Sequence, residues 1–211
     1  MARKSYHHGS LREALLEVGE ALIEEKGVEA FTLRECARRA GVSHGAPAHH
    51  FGDATGLLSE LAAIGFEELD ALMTRYRHDG SPEPYAQFVA TGRAYLDYAL
   101  HHPARFQLMF RGEKLRLESE RLGAAADRTF GQLMDTLSRL PRHGGGGEAT
   151  LTVDEQAGLA WAIVHGVATL TLDNRGFVEC VGGAEHVLAA LGKMLGAARG
   201  AFGSGQPGVA T

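Results

Sequence analysis

Apolar residues recur at helical spacing along most of the chain and almost nowhere alternate as a half-buried strand would. Leu11, Leu15, Leu16, Leu22 and Ile23 mark a first helix, opened by Ser10-Leu11-Arg12-Glu13 in the form of a capping box and stopped by Gly27. Thr32-Leu33-Arg34-Glu35 repeats the box ahead of a short helix ending near Ala40, with Phe31 and Cys36 in staple positions. Gly41-Val42-Ser43 predicts a tight turn in which Ser43 caps a third helix running to about His50. Asp53 is placed to cap a fourth, which carries Leu57, Leu58, Leu61, Ile64, Leu69, Leu72 and Met73 as far as the break at Asp79-Gly80-Ser81-Pro82.

The remainder continues in helices. Residues 85–102 bear Phe88, Val89, Tyr95 and Leu96, Pro103 opens a helix through Met109 and Phe110, and 115–140 form a long amphipathic stretch. Gly144 to Gly147 predict a flexible loop, because each interior Gly costs a helix about 1 kcal/mol relative to Ala. Helices over 153–173 and 184–202 complete the body, and the residues from Gly203 read as a loose tail. The fold class is all-α, with a three-helix head, a connecting fourth helix and a helical body.

Composition narrows the class. With 45% hydrophobic and 22% charged residues over 211 positions, global disorder is set aside and a core can form without staples. Two cysteines, Cys36 and Cys180, are too few for a disulfide framework or a four-thiolate zinc site. No apolar run follows Arg3 and Lys4, so no signal peptide is expected. No window supplies about twenty uninterrupted apolar residues for a membrane span, and a cytoplasmic protein is expected.

The net charge of -5 hides an uneven distribution. Residues 1–52 hold seven Lys/Arg and seven Asp/Glu, with the acids gathered between Glu13 and Glu29. Between 34 and 50, Arg34, Arg38 and Arg39 face Glu35 alone, with His44, His49 and His50 close by. A small basic face on an acidic protein is therefore expected, and phosphate contact needs only such a local face. The same stretch has the parts of a helix-turn-helix: Ala37 for close helix approach, Gly41 for a left-handed exit, and Val42, Ala46 and Phe51 for an inner face. His44, Gly45, Ala48 and His49 would then point outward, on a helix suited to the major groove.

Residues 10–58, from Ser-Leu-Arg-Glu-Ala-Leu-Leu through Thr-Leu-Arg-Glu-Cys-Ala-Arg-Arg-Ala-Gly-Val-Ser-His-Gly-Ala-Pro-Ala-His-His-Phe-Gly-Asp to Leu-Leu, resemble the DNA-binding head of bacterial TetR-family transcriptional regulators. The resemblance implies a helix-turn-helix domain over 1–54, a helical-bundle effector-binding and dimerisation domain over 55–203, and a flexible tail over 204–211. It implies a homodimeric repressor of a palindromic operator in double-stranded DNA, released by a small-molecule effector. Thr32 and Arg34 would touch phosphates, and Ser43, His44, Gly45, Pro47, Ala48, His49 and His50 would supply the recognition helix. Ala48 and Ala54 stand where family members commonly carry Tyr and Lys, both phosphate contacts, so two positioning contacts are missing. Arg3, Lys4, Arg12 and the histidines are candidate substitutes. Pro47 falls within the first turn or so, where its missing amide costs little.

The body resembles the family's carboxy-terminal domain more loosely. His102 to Phe110 is similar to a short helix of one subgroup, and Trp161-Ala162-Ile163-Val164-His165-Gly166 matches its Trp-x-x-x-His-Gly signature. Trp161 and His165 share one helix face, and Gly166 would admit a neighbouring helix. One reading makes Phe88, Phe106, Met109, Phe110, Phe130, Met134, Trp161 and His165 the lining of an effector cavity. The other makes them ordinary core, with His165 hydrogen-bonded inside. By family analogy the last two helices form the dimer surface, through Ala157, Ala160 and Val164 on one and Ala189, Ala190 and Ala197 on the other.

Two rival classes are weighed against this reading. An enzyme is disfavoured: the paired histidines at 7–8, 49–50 and 101–102 diverge by roughly 100° on a helix, and no phosphate-cradling loop is present. No metal and no cofactor are expected. The second rival is a helical ligand-binding dimer whose head, lacking Tyr and Lys at 48 and 54, no longer reads DNA.

Overall fold

The structure, a computed structural model, describes residues 8–140, 151–173 and 182–194. The predicted glycine loop, the tail, the end of the last helix, Arg3, Lys4, Cys180 and Ala197 lie outside the described residues. Within them the chain forms α1 (His8–Lys26), α2 (Leu33–Ala40), α3 (Gly45–Phe51), α4 (Ala54–Asp79), α5 (Pro84–His101), α6 (Pro103–Met109), α7 (Glu120–Ser138), α8 (Val153–Leu172) and α9 (Gly183–Met194). Single 3₁₀ turns occur at Val28–Ala30 and Gly112–Lys114. None of these helices is long and apolar enough to cross a membrane.

Packing divides the residues into two units: those up to Ala71 together with His101–Thr129, and Leu72–Leu100 together with those from Phe130 onward. In the first, the helical spacing read from the sequence buries Leu15, Leu22 and Ile23 of α1 against Phe31, Cys36, Ala37, Phe51, Leu57 and Leu61. Gly19 permits this: a Cβ there would lie 2.8 Å from Leu57 Cδ2. The α2–α3 turn follows the expected chemistry. Gly41 is left-handed at φ 68°, its N–H reaches the Ala37 and Arg38 carbonyls, and Val42 N–H donates to Ala37 O at 3.1 Å. Asp53 caps α4 by accepting from Gly56 N at 2.8 Å.

Four expectations about boundaries are corrected. Helix α1 begins at His8, so Ser10 lies inside it rather than at its cap. The second capping box is half formed: Thr32 Oγ1 accepts from Glu35 N, but the Glu35 carboxylate turns to Arg38, a turn further along, at 2.7 Å. Ser43 does not cap α3, because His44 has already turned helical and the Ser43 carbonyl, not its hydroxyl, receives Ala46 N–H. Helix α7 starts at Glu120 rather than 115, since a 3₁₀ turn and the bond from Arg116 N to Ser59 Oγ hold the preceding residues off the helix.

The second unit is built on Phe88, Leu137, Leu140, Ala157, Ala160 and Leu191. Helix α8 opens with a complete capping box, Thr152 accepting from Glu155 N and Glu155 from Thr152 N. Ala157, Ala160 and Val164 are buried within the single chain. They face its own core and not a dimer surface, because α8 needs small residues to pack inside its own unit. Gly166 meets nothing within 4 Å of an added Cβ, so no neighbouring helix of the described chain approaches it.

Candidate functional site

Two regions gather the chemistry anticipated from the sequence. In the head, the steep exit at Gly41 presents α3 with Pro47 and Phe51 buried beneath it and His44, Gly45, Ala48 and His49 exposed above. Ser43 is exposed and His50 half-buried, its ring 5.5 Å from that of His49. Pro47 is a correction: its ring is buried on the inner face and cannot be presented to a partner, although it lies in the first turn of α3 as expected, where a missing amide costs little. Thr32 and Arg34 are exposed at the start of α2.

The expected basic face is smaller than the arginine count suggests. Arg38 is held by Glu35 at 2.7 and 2.8 Å, and Arg39 by Glu25 at 2.6 Å and Glu35 at 3.3 Å. These partners, Arg38 foremost, pull the Glu35 carboxyl down to about 2. Arg12 is paired with Glu60 and sits 5.3 Å over the Phe51 ring, so it braces the head from behind. Arg34 remains exposed, with no carboxylate paired to it among the described residues. Of the described Lys and Arg between residues 8 and 54, Arg34 is the one with no carboxylate partner. Cys36 is buried, its Sγ 3.5 Å from Leu15 O, and burial pushes its thiol up to about 11, which makes it inert packing.

In the second unit Trp161 and His165 meet as their spacing predicts: the rings stack with centroids 5.2 Å apart and planes 25° apart. Tyr95, absent from the sequence-derived set although it had been placed on its helix, completes the group with Oη 2.7 Å from His165 Nδ1. Burial raises the phenol well above its ordinary range, so it stays protonated, and the tautomer of the imidazole sets which of the two donates. Trp161 is 38% exposed and does not sit inside a core. Phe88 is buried and Met134 packs against the same cluster, whereas Phe130 is 43% exposed. Phe106, Met109 and Phe110 belong to the first unit, where Phe110 lies 5.1 Å from Phe106 and 5.7 Å from Phe66. The eight aromatic and apolar candidates therefore fall into two groups, one in each unit.

A cavity of about 330 Å³ that sequence reasoning missed is lined by Arg77, His78, Gly80, Pro82, Pro84, Gln87 and Arg139. Asp135 bridges Arg139, its i+4 neighbour, and Arg77, 58 residues away, at 2.8 and 2.7 Å; only the first of these pairs is marked locally in the sequence. Among the described residues no group of three or more His, Cys, Asp or Glu is placed to hold a metal.

Burial lowers the His165 pKa from its ordinary 6.5. Below pH 6.5 the unfolded chain takes up the proton first, so stability is lost as pH falls from there until the folded imidazole itself protonates. Trp161, the only tryptophan, reports this directly, because a protonated imidazole quenches the indole it stacks on. Its emission is expected to fall with a midpoint below 6.5, and His165→Gln to abolish the step; a midpoint at or above 6.5 contradicts the buried assignment.

Comparison with known proteins places this geometry. Residues 15–61 match the model for bacterial regulatory proteins of the tetR family, and residues 88–198 match the tetracyclin repressor-like C-terminal domain. The transcriptional repressor KstR2 of Mycobacterium tuberculosis is 33% identical over 122 residues, which are 57% of this chain and 59% of that repressor. The regulator BetI of Stenotrophomonas maltophilia is 37% identical over 79 residues, 37% of this chain and 40% of BetI. The matched stretches thus span less than two thirds of these curated relatives. A Rhodococcus sp. RHA1 structure of unknown function is 31% identical with a TM-score of 0.74, over 92% of this chain and 97% of that one. The regulator PfmR of Thermus thermophilus shares the fold, with a TM-score of 0.63 at 23% identity over 86% of this chain and 96% of PfmR.

Proposed function

Because the chain belongs to the TetR family of bacterial regulatory proteins, we propose that it is a homodimeric repressor that binds a palindromic operator and is released by a small-molecule effector. One observation carries the reading. Helix α3 stands on a buried Pro47 and Phe51 and offers His44, Gly45, Ala48 and His49 to solvent, the disposition a major-groove helix requires. Arg34 and the Thr32 cap supply phosphate contacts at the adjacent helix start. The division of labour follows the residues 1–54 and 55–203.

Dimerisation is assigned to the outward side of α8. Leu159 is 48% exposed there, beside Gly158, Ala162 and Gly166 at four-residue spacing, with open space above both glycines among the described residues. Such a face lets a second copy approach closely. The effector site is assigned to the Trp161, His165 and Tyr95 group, in keeping with the Trp-x-x-x-His-Gly subgroup, where one imidazole and one phenol orient a partly apolar ligand.

A second reading, a ligand-binding dimer whose head no longer reads DNA, is favoured by the internal neutralisation of Arg38 and Arg39 and by the exposed Ala48. The double variant Ala48→Tyr, Ala54→Lys separates the two. On a DNA-reading head it tightens duplex binding and steepens the dependence of log K on log salt by about two, one for each phosphate newly engaged. Unchanged affinity and slope support the non-reading head.

A further inference from the structure

The DNA-binding reading raises the question of which cations from outside the helix-turn-helix lie beside α3. Arg12 and Arg121 share Glu60, Arg38 and Arg39 share Glu35 with Glu25 also on Arg39, and Arg111 and Lys114 share Glu29. Arg116 is placed differently. It lies 63 residues along the chain from Asp53, in the segment before α7, yet its Nη2 is 3.0 Å from Asp53 Oδ1. It shares a surface hollow of about 150 Å³ with His50 and Phe51 of α3, Gly56 and Ser59 of α4, Ser119, and Glu60, whose carboxylate is held by Arg12 and Arg121. The guanidinium also passes 3.6 Å from where a Cβ on Gly52 would stand, so it reaches the exit of the recognition helix itself.

We infer that Arg116 is a DNA-backbone contact supplied from outside the helix-turn-helix sequence, an inference that rests on the DNA-binding reading. Asp53 is 62% exposed at the end of α3, and a bare carboxylate there would repel a phosphate strand lying along the recognition helix. Arg116 offsets that charge. Its side chain is 38% exposed and commits one of its five N–H donors to Asp53, which leaves a guanidinium edge to grip a phosphate oxygen. Arg34 at the start of α2 and Arg116 at the end of α3 then hold the backbone at the two ends of the helix pair. The contact replaces a positive charge that Ala54 cannot supply at the start of α4. Its backbone N–H donates to Ser59 Oγ at 2.7 Å, so the segment keeps its place when the side chain is changed.

The test is fluorescence anisotropy of the full chain on a random-sequence duplex and on a duplex selected from a random pool, between about 50 and 200 mM salt. Arg116→Gln is expected to weaken both duplexes alike, leave the preference between them unchanged, and reduce the salt slope by about one. Arg116→Lys keeps the slope. Asp53→Asn, which can still cap α4, tightens binding by removing the repelling charge. A slope for Arg116→Gln equal to that of the wild type, at an unaltered thermal midpoint, overturns the inference while leaving the DNA-binding reading intact. A wild type with no salt-dependent duplex binding overturns both.

Discussion

Gly56→Ala is expected to damage the head more than any other single methyl addition. A Cβ at position 56 would stand 2.0 Å from the Phe51 carbonyl oxygen and 3.1 Å from its carbon. Both are backbone atoms, so no rotamer change relieves the clash; α4 or the end of α3 must move. Overpacking a tight site costs typically 1–3 kcal/mol and occasionally more, and a backbone collision belongs at the upper end, about 3 kcal/mol. The displaced element is the last turn of the recognition helix, so DNA affinity should fall further than stability does. Urea unfolding and duplex binding on the same variant check both statements; a stability loss under about 1 kcal/mol would show that the α3–α4 junction yields easily.

Arg105→Met is the second large effect. Arg105 on α6 is buried to 6% exposure and pairs with Glu20 of α1 and Glu68 of α4, so one guanidinium ties three helices of the first unit. Met keeps much of the apolar stem that packs beside Gly65, where an added Cβ would lie 3.1 Å from Arg105 Cδ, and removes the charge alone. Breaking a fully buried pair costs about 3–5 kcal/mol. Here Glu20 and Glu68 are 26% and 45% exposed, and water can solvate part of what the cation leaves, so about 2 kcal/mol is expected. The shift in urea midpoint measures it. A change below about 0.5 kcal/mol would mean that the carboxylates are fully solvated without the arginine and that α6 is held by its apolar side chains.

The helix order and the turn chemistry were legible because they are local. Gly41 and Asp53 act through neighbours a few residues away, and the residues near them say so; of the expected inner face only Phe51 is fully buried, with Val42 and Ala46 half-buried. The identity of the charged surface was not legible. Arg38 and Arg39 look basic in sequence but are paired with Glu35, one turn before them, and with Glu25 of α1, while Arg116 joins the head through a contact 63 residues distant. Small residues were misread for the same reason: Ala157 and Ala160 are compatible with a dimer face or an internal one, and only packing decides. Tyr95 was placed on its helix, but no local signal could pair it with His165, 70 residues away.

The central claim is that α3 reads a two-fold operator as part of a dimer. Selection from a random duplex pool by the purified chain, with the mass of the complex on the winning sequence, tests it most directly. The account predicts an inverted repeat with half-sites about 34 Å apart, or a multiple of that spacing, and two or a multiple of two 22.5 kDa chains per duplex. A pool with no enriched sequence at low salt, or an enriched site without two-fold symmetry bound by a single chain, would contradict it.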